Sequence, residues 1–367
     1  MFFFIGTEAE LIKVFPVIMQ CQEKGATCNI IASGQNDLKK NRILDYIGLN
    51  GKYVELSKES DIKKSAMGLF SWFVSTKRKA KKVIEQNYNI ADLKNKLMIV
   101  HGDTVSTFMG ALVGRQLHMK VCHVEAGLRS HNLLNPFPEE IDRLLTSRIA
   151  RVHFAPGGES TGNLTRAKGK VINTQYNTII DSLQVSKSMP VITDSLESVL
   201  LLDYFVFVMH RQENLMNKEF VSRVITHIEK MAEKINCVFI LHKITENVLQ
   251  EMGILQRLQI NPNFILFPRV DYFDFMKMLD HAKYVITDGG SNQEELHYMG
   301  KPCLIMRKTT ERKEGIGKNA RMFGGDVDEL LSFANEYTNM QIDPIVVEHS
   351  PSEMIAEVLT SGGTNKK

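Results

Sequence analysis

Short, almost uninterrupted apolar runs alternate with helix-length amphipathic stretches along nearly the whole chain. Phe2–Ile5, Asn29–Ala32, Leu97–His101, Val121–Val124 and Val152–Ala155 are such runs in the first half. Phe205–Met209, Cys237–Leu241, Phe264–Phe267, Tyr284–Thr287 and Cys303–Met306 follow in the second. A strand with one wet face alternates apolar and polar residues, whereas one buried on both faces does not. Continuous runs therefore point to parallel sheets covered by helices on both sides. Between them the spacing predicts helices over Glu8–Lys24, Ile62–Asn87, Ser106–Leu117, Pro136–Ala150, Asn217–Lys234, Tyr272–His281, Asn292–Met299 and Asp326–Tyr337.

At 367 residues the chain is long enough for two such cores. Pro156–Asn177 is the one long polar stretch with neither pattern, so a domain boundary is expected near residue 172. The fold class is α/β, two doubly wound Rossmann-like domains in tandem, at 1–171 and 172–349. Ser350 and Pro351 then open a last helix, Ser352–Leu359, as N-cap and first-turn proline. In open parallel sheets ligands bind beyond the carboxyl ends of strands. With two such domains, the cleft between them is the expected site.

Composition narrows the partners. A net charge of +3, from 45 basic and 42 acidic residues, gives no whole-chain argument for nucleic acid or an acidic membrane. The basic run Lys77–Lys82 reads as a solvated helix face. Five cysteines without a CxxC pair point to a reduced, cytoplasmic compartment. The apolar start, Phe2–Ile5, has no basic residues before it and reads as a strand rather than a signal peptide. No run reaches the roughly 20 apolar residues that span a bilayer, so membrane insertion is not expected.

Six polar clusters stand out, several of them directly after strands. His101-Gly-Asp-Thr104 puts Asp103 at a strand end, though Asp103 or Thr104 could equally cap the next helix. His123-Val-Glu-Ala-Gly-Leu-Arg129 puts Glu125 at another, where a structural Glu125–Arg129 pair is the plainer reading. Pro136-Phe-Pro-Glu-Glu-Ile-Asp-Arg143 sets Glu139 and Arg143 four apart on one helical face, after a long loop. His210-Arg211 suits a phosphate. Thr287-Asp-Gly-Gly-Ser-Asn-Gln-Glu-Glu295 would present Gly289, Gly290 and Ser291 amides to an anion at a helix N-terminus, with Glu295 placed for a ribose diol. Its spacing is neither a dinucleotide-binding nor a Walker pattern. Thr309-Thr-Glu-Arg312 would close over the same phosphates. Carboxylates from the first domain and an anion site from the second suit a sugar joined to a nucleoside diphosphate.

In this order and spacing, the H-G-D-T, H-V-E-A-G-L-R, P-E-E-x-x-R, H-R-x-E-N and T-T-E-R elements resemble the non-hydrolysing UDP-N-acetylglucosamine 2-epimerase family. The resemblance runs from Phe2 to about Gly325. It implies a GT-B arrangement whose last helix, 350–361, returns to the first domain, and a homodimer. It implies loss of the carbon-2 proton with elimination of UDP, a 2-acetamidoglycal, and re-addition with protonation on the other face. No nicotinamide, metal or other cofactor is expected. Asp103, Glu125 and Glu139 are implied as acids and bases, Arg143 as the group that positions Glu139, and His210 as support for the leaving diphosphate. Arg211, Gly289, Gly290, Ser291, Glu295 and Arg312 are implied in holding UDP.

Two departures stand out. The family's opening G-T-R-P-E-A is Gly6-Thr-Glu-Ala-Glu-Leu11 here, which puts Glu8 where an arginine would approach phosphate. The family's D-S-G-G-x-Q-E-E loop reads Asp288-Gly-Gly-Ser-Asn-Gln-Glu-Glu295. Both bear on which nucleotide sugar is bound. A hydrolysing epimerase that releases ManNAc, a GT-B glycosyltransferase and a non-catalytic binding protein are the alternatives.

Overall fold

A computed structural model describes residues 1–361 apart from 40, 63–64, 133–136, 308–309 and 311, and omits the side chains of 66, 90 and 291. It contains two compact units, Met1–Ser182 with the chain from Glu348 onward, and Leu183–Val347. The division falls after Ser182 rather than near residue 172. Two bonds carry the chain past that point: Thr178 and Ser182 donate their hydroxyls to the carbonyls of Lys13 and Ile12.

The first unit holds seven strands. They are β1 (Phe2–Ile5), β2 (Asn29–Ala32), β3 (Val54–Glu55), β4 (Leu97–His101), β5 (Lys120–Val124), β6 (Val152–Ala155) and β7 (Lys170–Asn173). All pair in parallel in the order β3-β2-β1-β4-β5-β6-β7. The strand order reverses between β1 and β4, the switch point at which doubly wound sheets open for ligands. The strand and helix pattern explains the central elements: β1 and β6 are buried along their whole length. The helix Val105–Gln116 lies close on the sheet because Gly110 has no side chain; a Cβ there would come within 2.7 Å of Phe4.

Pro156–Asn177, expected to lack regular structure, contains the helix Gly157–Asn163 and β7. The helix has no apolar stripe, and β7 is a partly exposed edge strand, so neither leaves the apolar run that marked the interior strands. The helix expected from Ile62 begins at Ala66, with Ser65 accepting from the Gly68 amide. The final helix, Pro351–Thr360, is capped by Ser350 and packs on Glu8–Glu23.

The second unit repeats the plan with six strands. They are β8 (Tyr204–Val208), β9 (Asn236–Leu241), β10 (Phe264–Pro268), β11 (Val285–Thr287), β12 (Cys303–Ile305) and β13 (Ala320–Met322). The parallel order is β10-β9-β8-β11-β12-β13, with its switch point between β8 and β11. Phe205, Phe207, Phe239 and Ile286 pack with the helix Lys218–Ala232 in its core.

Candidate active site

In the first unit the polar groups gather at the carboxyl ends of β1, β4 and β5. After β4, Gly102 takes a left-handed turn (φ +69°) and Thr104 caps the next helix, accepting from the Thr107 amide at 3.2 Å. Thr104 thus takes the capping role, and Asp103 turns instead to an ion pair with Arg143.

Glu125 follows β5. Its φ is +61°, a region that costs a residue with a Cβ about 1–3 kcal/mol and recurs at functional sites. The side chain is 9% exposed. Its carboxylate is gripped by the Lys13 ammonium and the Asn177 amide, with His101 Nε2 at 3.7 Å. No Glu125–Arg129 pair forms; Arg129 binds Glu140. Gly127 (φ +87°) could not be replaced within this motif, since a Cβ would meet the Ser160 carbonyl oxygen at 2.2 Å.

The helix Glu139–Ile149 brings in the remaining acids. Glu140 is fully buried. Burial alone would raise its pKa, but the Ser130 amide and the Arg129 and Arg143 guanidinia outweigh that and hold it below the ordinary carboxylate range. Arg143 spans Glu140 and Asp103, and so does not take the expected partner, Glu139. Glu139 keeps a buried Oε2 with no hydrogen-bond partner among the described residues.

Two further groups are structural ties. His123 Nε2 lies 2.7 Å from the Gly102 carbonyl, and burial pushes its pKa down to about 4, so the ring is neutral. Glu10 accepts from the Gly6 amide at 2.6 Å and from Thr104 Oγ1 at 2.5 Å, and burial pushes it up to about 7. Glu8 opens the first helix and accepts from the Asn41 amide at 3.1 Å.

In the second unit the same strand ends carry a different chemistry. Asp288, fully buried after β11, accepts from the backbone amides of His210 (3.0 Å) and Arg211 (2.9 Å) and from the Asn214 side chain (3.1 Å). His210 Nδ1 lies 3.1 Å from Asp288 Oδ1. Burial opposes ionisation of Asp288, but these donors prevail and lower its pKa. The His210 ring, 33% exposed, stacks on His242 at 4.4 Å between centroids. Burial, with the nearby charges of His210 and Arg269, pushes His242 down to about 4.

The helix Gly290–Tyr298 starts beside this clasp. The Gly289 amide is already used, donating to Thr287 Oγ1 at 2.9 Å. A Cβ on Gly290 would come within 2.6 Å of Arg307 Nη1, so that guanidinium rests against the start of the helix. Asn292 Nδ2 donates to Glu295 Oε2 at 3.1 Å. Arg312 pairs with the buried Glu294. The Ser291 side chain, Pro136, Thr309 and Glu311 lie outside the described residues.

Lys13, Asn177, Asp288, Arg307 and Glu140 were not singled out from sequence. Lys13 did leave a trace, as a cation inside the apolar run Leu11–Ile18. Asn177 sat in the stretch read as linker, Asp288 in a strand-to-helix turn and Arg307 in a loop, while Glu140 stood beside Glu139 in the helix expected over Pro136–Ala150.

Comparison with known proteins gives a consistent picture. A family model described as UDP-N-acetylglucosamine 2-epimerase matches residues 20–345. The UDP-N-acetylglucosamine 2-epimerase of Salmonella typhimurium is 32% identical over 274 residues, covering 68% of this chain and 71% of its own. That of Methanocaldococcus jannaschii is 29% identical over 344 residues, covering 90% of each. A crystal structure of the M. jannaschii enzyme in complex with UDP-GlcNAc and UDP superimposes with a TM-score of 0.74 at 27% identity, covering 98% of this chain and 99% of that one.

Proposed function

Since the chain belongs to the UDP-N-acetylglucosamine 2-epimerase family, we propose that it interconverts UDP-GlcNAc and UDP-ManNAc by inverting carbon 2 of the sugar. A carboxylate of the first unit takes the carbon-2 proton. The C–H electron pair becomes the double bond between carbons 1 and 2 as the bond from carbon 1 to the diphosphate breaks. UDP leaves with the electrons of that bond. The 2-acetamidoglycal is then protonated at carbon 2 on the opposite face while UDP re-adds to carbon 1. Electrons balance without an oxidant.

Asp103, Glu125 and Glu139 supply the acid and base. Lys13 and Asn177 fix Glu125, and Arg143 fixes Asp103. In the second unit His210, backed by Asp288, meets charge as it builds on the leaving diphosphate. Arg211, Arg307 and the start of the helix at Gly290 add positive potential. Glu295 holds the ribose; Ser291 and Arg312 complete the set by family resemblance. The observation that carries this reading is Glu125, a nine-tenths buried carboxylate held in a left-handed conformation by a lysine and an amide. A structural acid has little need of that strain.

Proton NMR of the purified protein with UDP-GlcNAc in heavy water tests the proposal. UDP-ManNAc should accumulate with deuterium at carbon 2. Free ManNAc with UDP would instead mark a hydrolysing enzyme, and no conversion would sink the reading. Glu295→Ala should weaken UDP binding about tenfold or more, since a hydrogen bond to a charged group contributes about 1.5–3 kcal/mol; unchanged affinity by calorimetry would refute the ribose placement. None of the described helices is long and apolar enough to cross a membrane. A cytoplasmic homodimer that supplies surface polysaccharide synthesis belongs to the same proposal, on family resemblance.

A further inference from the structure

The helix Glu139–Ile149 carries an acid that the reaction above leaves unused. Glu139, Asp142, Arg143 and Thr146 are three and four residues apart, so they share one face. The helix packs against the helix Val105–Gln116, and Arg143 ties it to Asp103 just ahead of that helix. Asp142 is 6% exposed. Its Oδ2, with Glu139 Oε2 and Thr146 Oγ1, is buried without a hydrogen-bond partner among the described residues. Arg143, next in sequence, spends its nitrogens on Asp103 and Glu140.

A buried carboxyl without a cation or donor holds its proton rather than ionise. Burial, then the charges of Asp103 and Glu139, pushes Asp142 up to about 7. The other titratable groups on the packed elements do not reverse this. Lys120 and His123 lie on β5, Arg115 is exposed at the far end of Val105–Gln116, and Glu140 and Arg148 sit on its own helix.

The epimerase chemistry gives such a group work. Over one turnover the protein neither gains nor loses a proton. Yet the base ends protonated and the acid ends ionised, because the two act on opposite faces of carbon 2. Before the next turnover in the same direction, one proton has to pass from the first carboxyl to the second. We propose that Asp142 is a positioning residue for the reaction, sharing one exchangeable proton with Glu139 and so returning the site to its starting protonation after each turnover. The proposal rests on the epimerase reading. It adds a fourth carboxyl, which is 6% exposed.

Asp142→Asn keeps the shape and removes the titration. With the full-length protein and UDP-GlcNAc, coupled carboxyls give wild type a limb near neutral pH in its kcat profile. In the variant that limb should move to lower pH by about one unit or more. There kcat should fall about tenfold or more while KM stays within about threefold, the pattern of a lost proton-transfer contribution. A second readout is independent of turnover. Because the native pKa lies above the ordinary value, the folded chain keeps a proton that the unfolded chain releases. The stability this gives is present in acid and is lost as pH rises through about 7. The variant lacks that loss, so its Tm relative to wild type should rise between pH values about two units below and one unit above that pKa.

An unmoved limb, or a Tm difference that does not change with pH, overturns the proposal. Should Asp142→Asn fail to fold, Asp142→Ser serves for both readouts. A wild-type protein inert towards UDP-GlcNAc would overturn the epimerase reading and with it any part for Asp142 in turnover. Active wild type with neither change would overturn the Asp142 proposal alone.

Discussion

Glu125→Gln is expected to lower epimerase turnover by about 10²–10⁴-fold, the range that a positioned acid or base contributes. The amide keeps the shape of the side chain and still offers an oxygen to Lys13 and Asn177. It cannot take a proton from carbon. It also leaves the Lys13 ammonium, 7% exposed, without its counter-charge. Removing one member of a buried ion pair outright costs about 3–5 kcal/mol, so the retained carbonyl should keep the loss below that range. Turnover and denaturant stability measured on the same preparation separate the two effects. A stability loss with turnover of the folded fraction within a few-fold of wild type would make Glu125 a structural residue. Glu139→Gln is the companion variant. Among the described residues its Oε2 has no hydrogen-bond partner and no ion pair like that of Glu125 with Lys13, so the same kinetic loss should appear with a smaller stability loss than in Glu125→Gln.

Asp288→Ala should produce the larger structural loss, about 3–5 kcal/mol of unfolding free energy, as expected for breaking a buried charged cluster. The carboxylate is fully buried and accepts from two successive backbone amides and the Asn214 side chain, with His210 Nδ1 in contact. Truncation leaves those donors facing a void, and each buried unpaired donor costs about 1–3 kcal/mol. Urea unfolding checks this: the midpoint should fall with an unchanged slope, and a loss below about 1 kcal/mol would show the clasp to be dispensable. Asp288→Asn retains one acceptor and should fold, but it removes the charge behind His210. UDP release should then slow the reaction, lowering kcat by about tenfold or more if His210 gains its contact as charge builds on the diphosphate. The depressed pKa of Asp288 fixes the pH sense. Its contribution is present above the ordinary carboxylate range and is lost as pH falls through the native value.

The clusters of unlike residues at strand ends were legible, but their partners were not. Asp103 and Thr104 were equal candidates for the helix cap, and only the folded loop gave the cap to Thr104 and Asp103 to Arg143. Glu125 and Arg129 are four residues apart, which invited a pairing. The left-handed turn at Glu125 sends the carboxylate instead to Lys13, from the first helix, and to Asn177, beyond β7. Glu139 and Arg143 share a helical face, yet the guanidinium finds Glu140 on its own helix and Asp103 across from it. The helix Gly157–Asn163 and β7 went unread because an exposed edge needs no apolar run.

The sequence by itself determined the alternation of strands and helices, hence two parallel sheets, and the kinds of polar side chain that follow their strands. It could do so because burial on both faces of a strand is written into consecutive residues. The tertiary structure alone decided which carboxylate met which cation, which acid on the helix Glu139–Ile149 was left without a hydrogen-bond partner among the described residues, and how Asp288 came to hold His210. Those choices depend on charges brought together from distant parts of the chain, and in a buried site each available cation can satisfy only the carboxylates within its reach.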